Sequence, residues 1–172
     1  MFNRVIGTFK LDRRLFDEIE HSEDATAQAL LIVAVVSVVS SFGNALGAQF
    51  AHRPFLPQFV GSLIWSLIGW ILWSVVSFSV GKIIFKGQGD LAGMVRGIGF
   101  SYLPQVLAVI PGMGSLAGLL WSLAAGFIAA GQDLKLDNFK TLLTILIGFS
   151  LYLIGHAILS STLGGLLWFL NR

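Results

Sequence analysis

The chain has 172 residues, of which 55% are apolar and only 12% charged, with a mean hydropathy of +0.82 and a formal charge of +2. A water-soluble domain carries about 25% charged residues to keep its surface wet, so this composition excludes an ordinary soluble enzyme and points to helices of about 20 residues that each cross a bilayer core of about 30 Å. No basic run supports nucleic-acid binding, and the absence of cysteine excludes disulfides, thiolate catalysis and cysteine-ligated metals.

Residues 1–24 read as a cytosolic amphipathic segment ahead of a transmembrane domain over 25–172. They hold Arg4, Lys10, Arg13 and Arg14 together with most of the acids. Phe2, Val5, Ile6 and Phe9 recur at the spacing of one helix face. Asp12 is expected to N-cap a second short piece that carries Leu15, Phe16 and Ile19 on one side. Two destinations fit such a face: the membrane surface or the protein's own cytosolic loops. A cleaved leader is not expected, because the first apolar run starts around Ala25, is too long for a leader core and is followed by others.

Five apolar runs follow, which predicts an all-α integral membrane protein with five transmembrane helices. The first covers about Thr26 to Phe50, with Ser22 expected as its N-cap, and Pro54 and Pro57 break the chain after it. The second covers about Phe59 to Phe85 and ends in the polar turn Lys86-Gly87-Gln88-Gly89-Asp90. The third, about Gly93 to Ile110, carries Arg96 near its start and Pro104 in its middle. Only about 21 Å of apolar helix lies between Arg96 and Pro111 at 1.5 Å per residue. It spans if Arg96 reaches to the interface; otherwise the third and fourth runs form a re-entrant hairpin. Pro111-Gly112-Met113-Gly114 reads as a tight reversal, the fourth run covers about Ser115 to Gly131, residues 132–138 are polar, and the fifth run covers about Phe139 to Leu170.

With five spans and the N-terminus inside, Arg4, Lys10, Arg13, Arg14, Lys82, Lys86, Arg96, Lys135 and Lys140 fall on the inner side, and Arg53 and Arg172 on the outer side. That excess of inner cations predicts a cytosolic N-terminus and an outside C-terminus.

Lipid supplies no hydrophobic force between helices, so their association depends on small residues that let backbones approach. Gly114, Gly118, Ser122, Gly126 and Ala130 recur every four residues and form a ridge on the fourth run. The first run offers Ser37, Ser41 and Ala45, and the fifth offers Gly148, Tyr152, His156, Ser160 and Gly164. These three stripes are expected to face one another, with Trp65, Trp70 and Trp73 partly towards lipid.

Tyr152 and His156, one turn apart deep in the fifth run, are a candidate intramembrane polar pair, and ionisable groups at that depth are functional candidates by default. They suit a proton relay or an axial ligand, against a plain interhelical hydrogen bond to a serine or Asn44. His21, His52 and His156 lack metal-ligand spacing, and Gly112-Met113-Gly114-Ser115 only loosely matches an intramembrane protease loop. No metal, cofactor or catalytic residue is assigned. Asp90 and Arg96 bracket the entry to the third run, as a solvated turn with an interface anchor, an inter-helix pair, or a contact point for a cytosolic partner.

The same stretch resembles the Yip family of Ypt/Rab-interacting membrane proteins. Gly87-Gln88-Gly89-Asp90-Leu91 matches its Gly-x-Gly turn, Gly99-Phe100 followed by Pro104 its third-helix element, Pro111-Gly112 its reversal, and Leu120-Trp121 its fourth helix. The resemblance implies five passes, a cytosolic N-terminus and no enzymatic chemistry. Eukaryotic members act in traffic between endoplasmic reticulum and Golgi and contact prenylated Rab GTPases. This chain departs from them in lacking a long cytosolic N-terminal region and is closer to compact prokaryotic members, which implies a bacterial cytoplasmic membrane as its setting, so GTPase contacts are not transferred to any residue. The expected partners are the lipid bilayer and another membrane protein or a second copy, with no nucleic acid. The function read from the sequence is an organising or protein-binding role, the alternatives being an accessory subunit of a larger, bioenergetic assembly or an oligomeric channel.

Overall fold

The computed structural model describes the backbone of residues 1–170 and the side chains of residues 1–155 with Ala157 and Ile158. Every element among these residues is helical. Two short helices, α1 (Phe2–Phe9) and α2 (Arg13–His21), precede α3 (Asp24–Gln49). Helix α4 (Phe55–Ser79) continues into a π-turn over Val80–Ile84. Then come α5 (Leu91–Ser101), a 3-10 segment (Leu103–Val109), α6 (Met113–Leu134) and α7 (Asn138–Leu170).

Four helices are long and apolar enough to cross a membrane: Asp24–Gln49, Phe55–Ile84, Met113–Leu134 and Asn138–Gly155. Each turns large apolar side chains outward, among them Leu31, Val35 and Phe42 on α3, Ile64 and Ile68 on α4, Leu116 and Leu120 on α6, and Leu142 and Leu146 on α7. So much exposed apolar surface suits lipid as the surrounding solvent, not water.

The third apolar run is broken. Pro104 has no N–H to return to the Phe100 carbonyl, α5 stops at Ser101, and the chain goes on as the tighter 3-10 segment. It nevertheless lies alongside a full-length neighbour. Gly93 sits against Asp133, Gly97 against Ala129, Gly118 against Pro104, and Gly114 against the Leu107 carbonyl. From Asp133 to Gly114 is about 28 Å of α6. On its other side Gly99 meets Ala29, Gly43 meets the Ala108 carbonyl, and Gly47 meets Pro111. Every residue from Gly97 to Pro104 is buried. A broken backbone at such depth is tolerable only where protein, not lipid, surrounds it. Ser101 Oγ donates to the Gly97 carbonyl at 2.8 Å, and Trp70 Nε1 donates to the Val95 carbonyl at 3.1 Å.

Several expectations are corrected here. Ser22 is not the N-cap of α3: it ends α2, and α3 starts from Glu23 without a side-chain cap. Helix α4 begins earlier than the proline count suggested, because Pro57 falls in its first turn, where an N–H would be unpaired in any case. Trp65, Trp70 and Trp73 do not face lipid; all are buried, and Trp73 is only 3% exposed. Among the described residues the three small-residue stripes do not converge on each other. The α6 ridge packs its Gly114 and Gly118 on the 3-10 segment and its Gly126 on Trp73, while Ser122 and Ala130 are buried. On α3, Gly43 packs beside the buried Ser41 and Ala45 against Ala108, and on α7 Gly148 packs against Ser77 and Trp73 of α4.

Candidate functional site at the hairpin end of the bundle

The N-terminal segment folds as a helical hairpin docked on the bundle. Asp12 caps α2 by accepting from the Arg14 N–H at 3.0 Å, and Leu11 takes a positive φ at the turn. Phe16 and Ile19 are fully buried in a cluster with Ala25, Ala29, Phe100, Leu103 and Ala125, against which Val5 and Phe9 also pack. The apolar face of α2 therefore belongs to the protein's core and not to the membrane surface. On α1 the apolar residues divide: Val5 and Phe9 face inward, while Phe2 is 75% and Ile6 38% exposed. Arg4 ties the hairpin shut, pairing with Glu18 at 2.7 Å and Asp24 at 2.9 Å.

Arg96 makes the deepest polar contact. Its side chain leaves α5, is only 8% exposed, and donates to the carbonyls of Ile19, at 3.2 Å, and Glu20. Those carbonyls are at the C-terminus of α2, where the last turn lacks its regular intrahelical donors, Ile19 keeping only the Ser22 N–H at 3.3 Å, and the helix dipole favours a cation. A third bond reaches Thr26 Oγ1 at 3.4 Å. Arg96 is thus neither an interface anchor nor an ion-pair partner of Asp90. Asp90 remains exposed and N-caps α5, accepting from the Gly93 N–H at 2.7 Å.

Asp133 lies beside this bond set, 2% exposed in the last turn of α6. Neither carboxylate oxygen has a side-chain hydrogen-bond partner; the Asp90 backbone N–H faces it, Arg96 supplies attractive charge, and Glu20 and Asp90 add charge of its own sign. The Gly-x-Gly turn closes over it. A Cβ on Gly89 would collide with the Asp133 carbonyl and carboxylate, and one on Gly87 would come within 3.0 Å of Leu134. Gln88 N donates to the Leu134 carbonyl at 2.9 Å, and Lys82 Nζ holds the Gln88 and Gly89 carbonyls at 3.1 and 2.9 Å. The π-turn presents Gly81 to Leu134, the close approach that seats the turn on α6.

Lys135, in the left-handed conformation just after α6, reaches Asp17 at 3.0 Å and Glu20 at 3.3 Å. Partial burial disfavours its charge, but those two carboxylates outweigh burial and hold the ammonium above its ordinary value. A group raised in this way contributes stability in full below the ordinary lysine value and loses it only in strongly alkaline solution. Asp17, Glu20 and His21 could each turn a ligand atom to one point, yet Lys135 already bonds both carboxylates. The residues of this end therefore form a latch: salt bridges and a buried guanidinium fasten the hairpin to α5 and α6.

Of the other sequence candidates, Tyr152 packs its ring against Trp65 and Phe149, with centroids 5.5 and 5.7 Å away, and over Gly69. His156, with Ser160 and Gly164, lies outside the residues whose side chains are described, and Asn44 is exposed on α3. Sequence reasoning counted Lys82 and Lys135 only as inner-side cations and did not single out Glu20 or Asp133. One signal was available for Asp133: an acid in a last helical turn opposes the helix dipole, so some other contact has to hold it there.

A multi-pass, all-α membrane protein is the class that these helices define. The chain belongs to the Yip1 domain family, whose family model matches residues 6–169. No curated protein and no solved structure gives a significant match.

Proposed function

We propose that the chain is a five-pass, non-enzymatic Yip-family protein with an organising, protein-binding role in its membrane, and that α1 is its docking element. The observation that carries this reading is the division of α1. One apolar stripe is spent on the core, whereas Phe2 and Ile6 are left uncovered beside a polar groove of about 540 Å³ lined by Asn3, Arg4, Asp12, Arg14 and Glu18. Arg4 ties α1 to Glu18 and Asp24, and Lys135 fastens α2 through Asp17 and Glu20, so the hairpin that presents α1 is held in place. Removing the hairpin outright would uncover Phe100 and orphan Arg96, so surface variants make the better test. Full-length tagged protein is purified from its native membrane in mild detergent, and the Phe2→Ser/Ile6→Ser variant alongside it. A defined set of membrane proteins should accompany the wild type in fixed ratio and be lost from the equally stable variant. Wild-type protein that runs alone would sink the reading.

The fifth pass is supported by the lateral run of the third segment along α3 and α6, and the inside location of the N-terminus by the distribution of basic residues. The chain contains no cysteine, so single-cysteine variants report sidedness cleanly. Cysteines at Gln88 and Leu136 should be labelled from the cytosolic side, and those at His52 and Gly112 from the outside. Labelling of position 112 from the same side as position 88 would mean that the third segment turns back.

A further inference from the structure

An apolar groove of about 610 Å³ opens between α6 and α7, with Leu123, Phe127, Leu142 and Leu146 on its walls and the hairpin turn at one end. A small polar notch, about 100 Å³, adjoins it and shares Arg13, Phe127, Ile128 and Asn138. The notch is lined by the donors Arg13, Gln132 and Asn138 and by Thr141, whose hydroxyl is taken up by the Asp137 carbonyl, and no carboxylate lines either space. Arg13 is exposed and its side chain has no ion pair or hydrogen bond among the described residues, in contrast to Arg4, Arg96 and Lys135. From Asn138 to Leu146 the groove descends about 12 Å along α7, most of the depth of one leaflet of a bilayer with a hydrocarbon core of about 30 Å.

We infer that this paired notch and groove is a binding site for one anionic phospholipid, its phosphate on Arg13 and the Asn138 and Gln132 amides, and one acyl chain between α6 and α7. Charge complementarity selects the headgroup: an unpaired guanidinium without competing acids takes an anionic phosphate ester in preference to a zwitterionic one, whose own cation would face Arg13. The apolar walls select the lipid over a free phosphate.

The test uses full-length protein in detergent with added phosphatidylglycerol, phosphatidylcholine or inorganic phosphate, followed by native mass spectrometry and thermal unfolding. One phosphatidylglycerol should be retained per chain and should raise the unfolding temperature more than phosphatidylcholine does. Arg13→Ala should weaken phosphatidylglycerol retention about fivefold and leave phosphatidylcholine unaffected, while Arg13→Lys keeps most of the preference. Filling the groove with Ala124→Trp should reduce retention of both lipids. Equal retention of the two lipids by wild type, or an unchanged preference in Arg13→Ala, overturns the proposal. So does stabilisation by inorganic phosphate that matches the lipid's, or a lipid-free dimer in which a second copy closes the groove. Arg13 lies on the surface, so its variants report even where the groove-filling variant fails to fold.

Discussion

Replacing Arg96 by methionine is expected to destabilise the protein by about 3–5 kcal/mol, the cost of removing one partner from a buried charged set. Methionine fills much of the same volume, so the loss is electrostatic and not a cavity effect. Three things are lost together. The Glu20 carbonyl loses its donor, and the Ile19 carbonyl keeps only the Ser22 N–H at 3.3 Å. Thr26 loses its contact, and the buried Asp133 loses the nearby cation that offsets Glu20 and Asp90. The hairpin should loosen before the bundle does, so trypsin should cut faster at Lys10, Arg13 and Arg14 while α3 to α7 remain protected. Arg96→Lys retains the charge but not the planar fork that reaches several acceptors at once, and should fall between. Adding Asp133→Asn to Arg96→Met should recover part of the loss, because the pair is coupled. Additive losses in the double variant would mean that Asp133 is held by something other than Arg96.

Gly118→Leu is expected to abolish stable expression, and Gly118→Ala to cost about 1–3 kcal/mol in thermal or denaturant unfolding. A Cβ at that position would come within 2.7 Å of the Pro104 carbonyl oxygen and 3.2 Å of the Gln105 Cα. Both are backbone atoms of the broken segment and cannot rotate aside. Gly61→Ala in α4 is the matched control: a Cβ there meets nothing within 4 Å, so alanine should gain up to about 1 kcal/mol from helix propensity alone. Gly126 sits between these cases, since its neighbour at 2.9 Å is the rim of the Trp73 ring, a side chain with some room to tilt. If Gly118→Leu is as stable and well expressed as wild type, α6 does not touch the 3-10 segment and the packing described for the third run is wrong.

The resemblance to the Yip family rested on the order of a few motifs, and the match over residues 6–169 agrees with it. Those motifs acquire physical reasons in the structure. Gly87 and Gly89 are glycines because the turn lies directly on Asp133 and Leu134. Pro104 ends α5 so that a 3-10 segment can continue between α3 and α6.

Composition and periodicity alone determined that the chain is helical and lives in a membrane, where its long helices start and stop to within a few residues, and that Asp12 caps the second short helix. These are local properties: the length of an apolar run, the missing N–H of a proline, a side chain bonding an N–H two residues on. What only the tertiary structure decided is which surfaces meet. The small-residue ridge of α6 could be read from its spacing but not its partner, because a stripe of glycines fits any backbone. The tryptophans of α4 were placed towards lipid because bulk and aromaticity suit both an interface and a core. The hairpin's apolar face fits a membrane surface and a protein groove equally well, and only the position of α5 and α6 beneath it selects the groove. Arg96 reads as an interface anchor until α2 is seen to end above it, since a guanidinium at the start of an apolar run looks the same whether its acceptors are water and phosphate or the carbonyls of a helix more than seventy residues away.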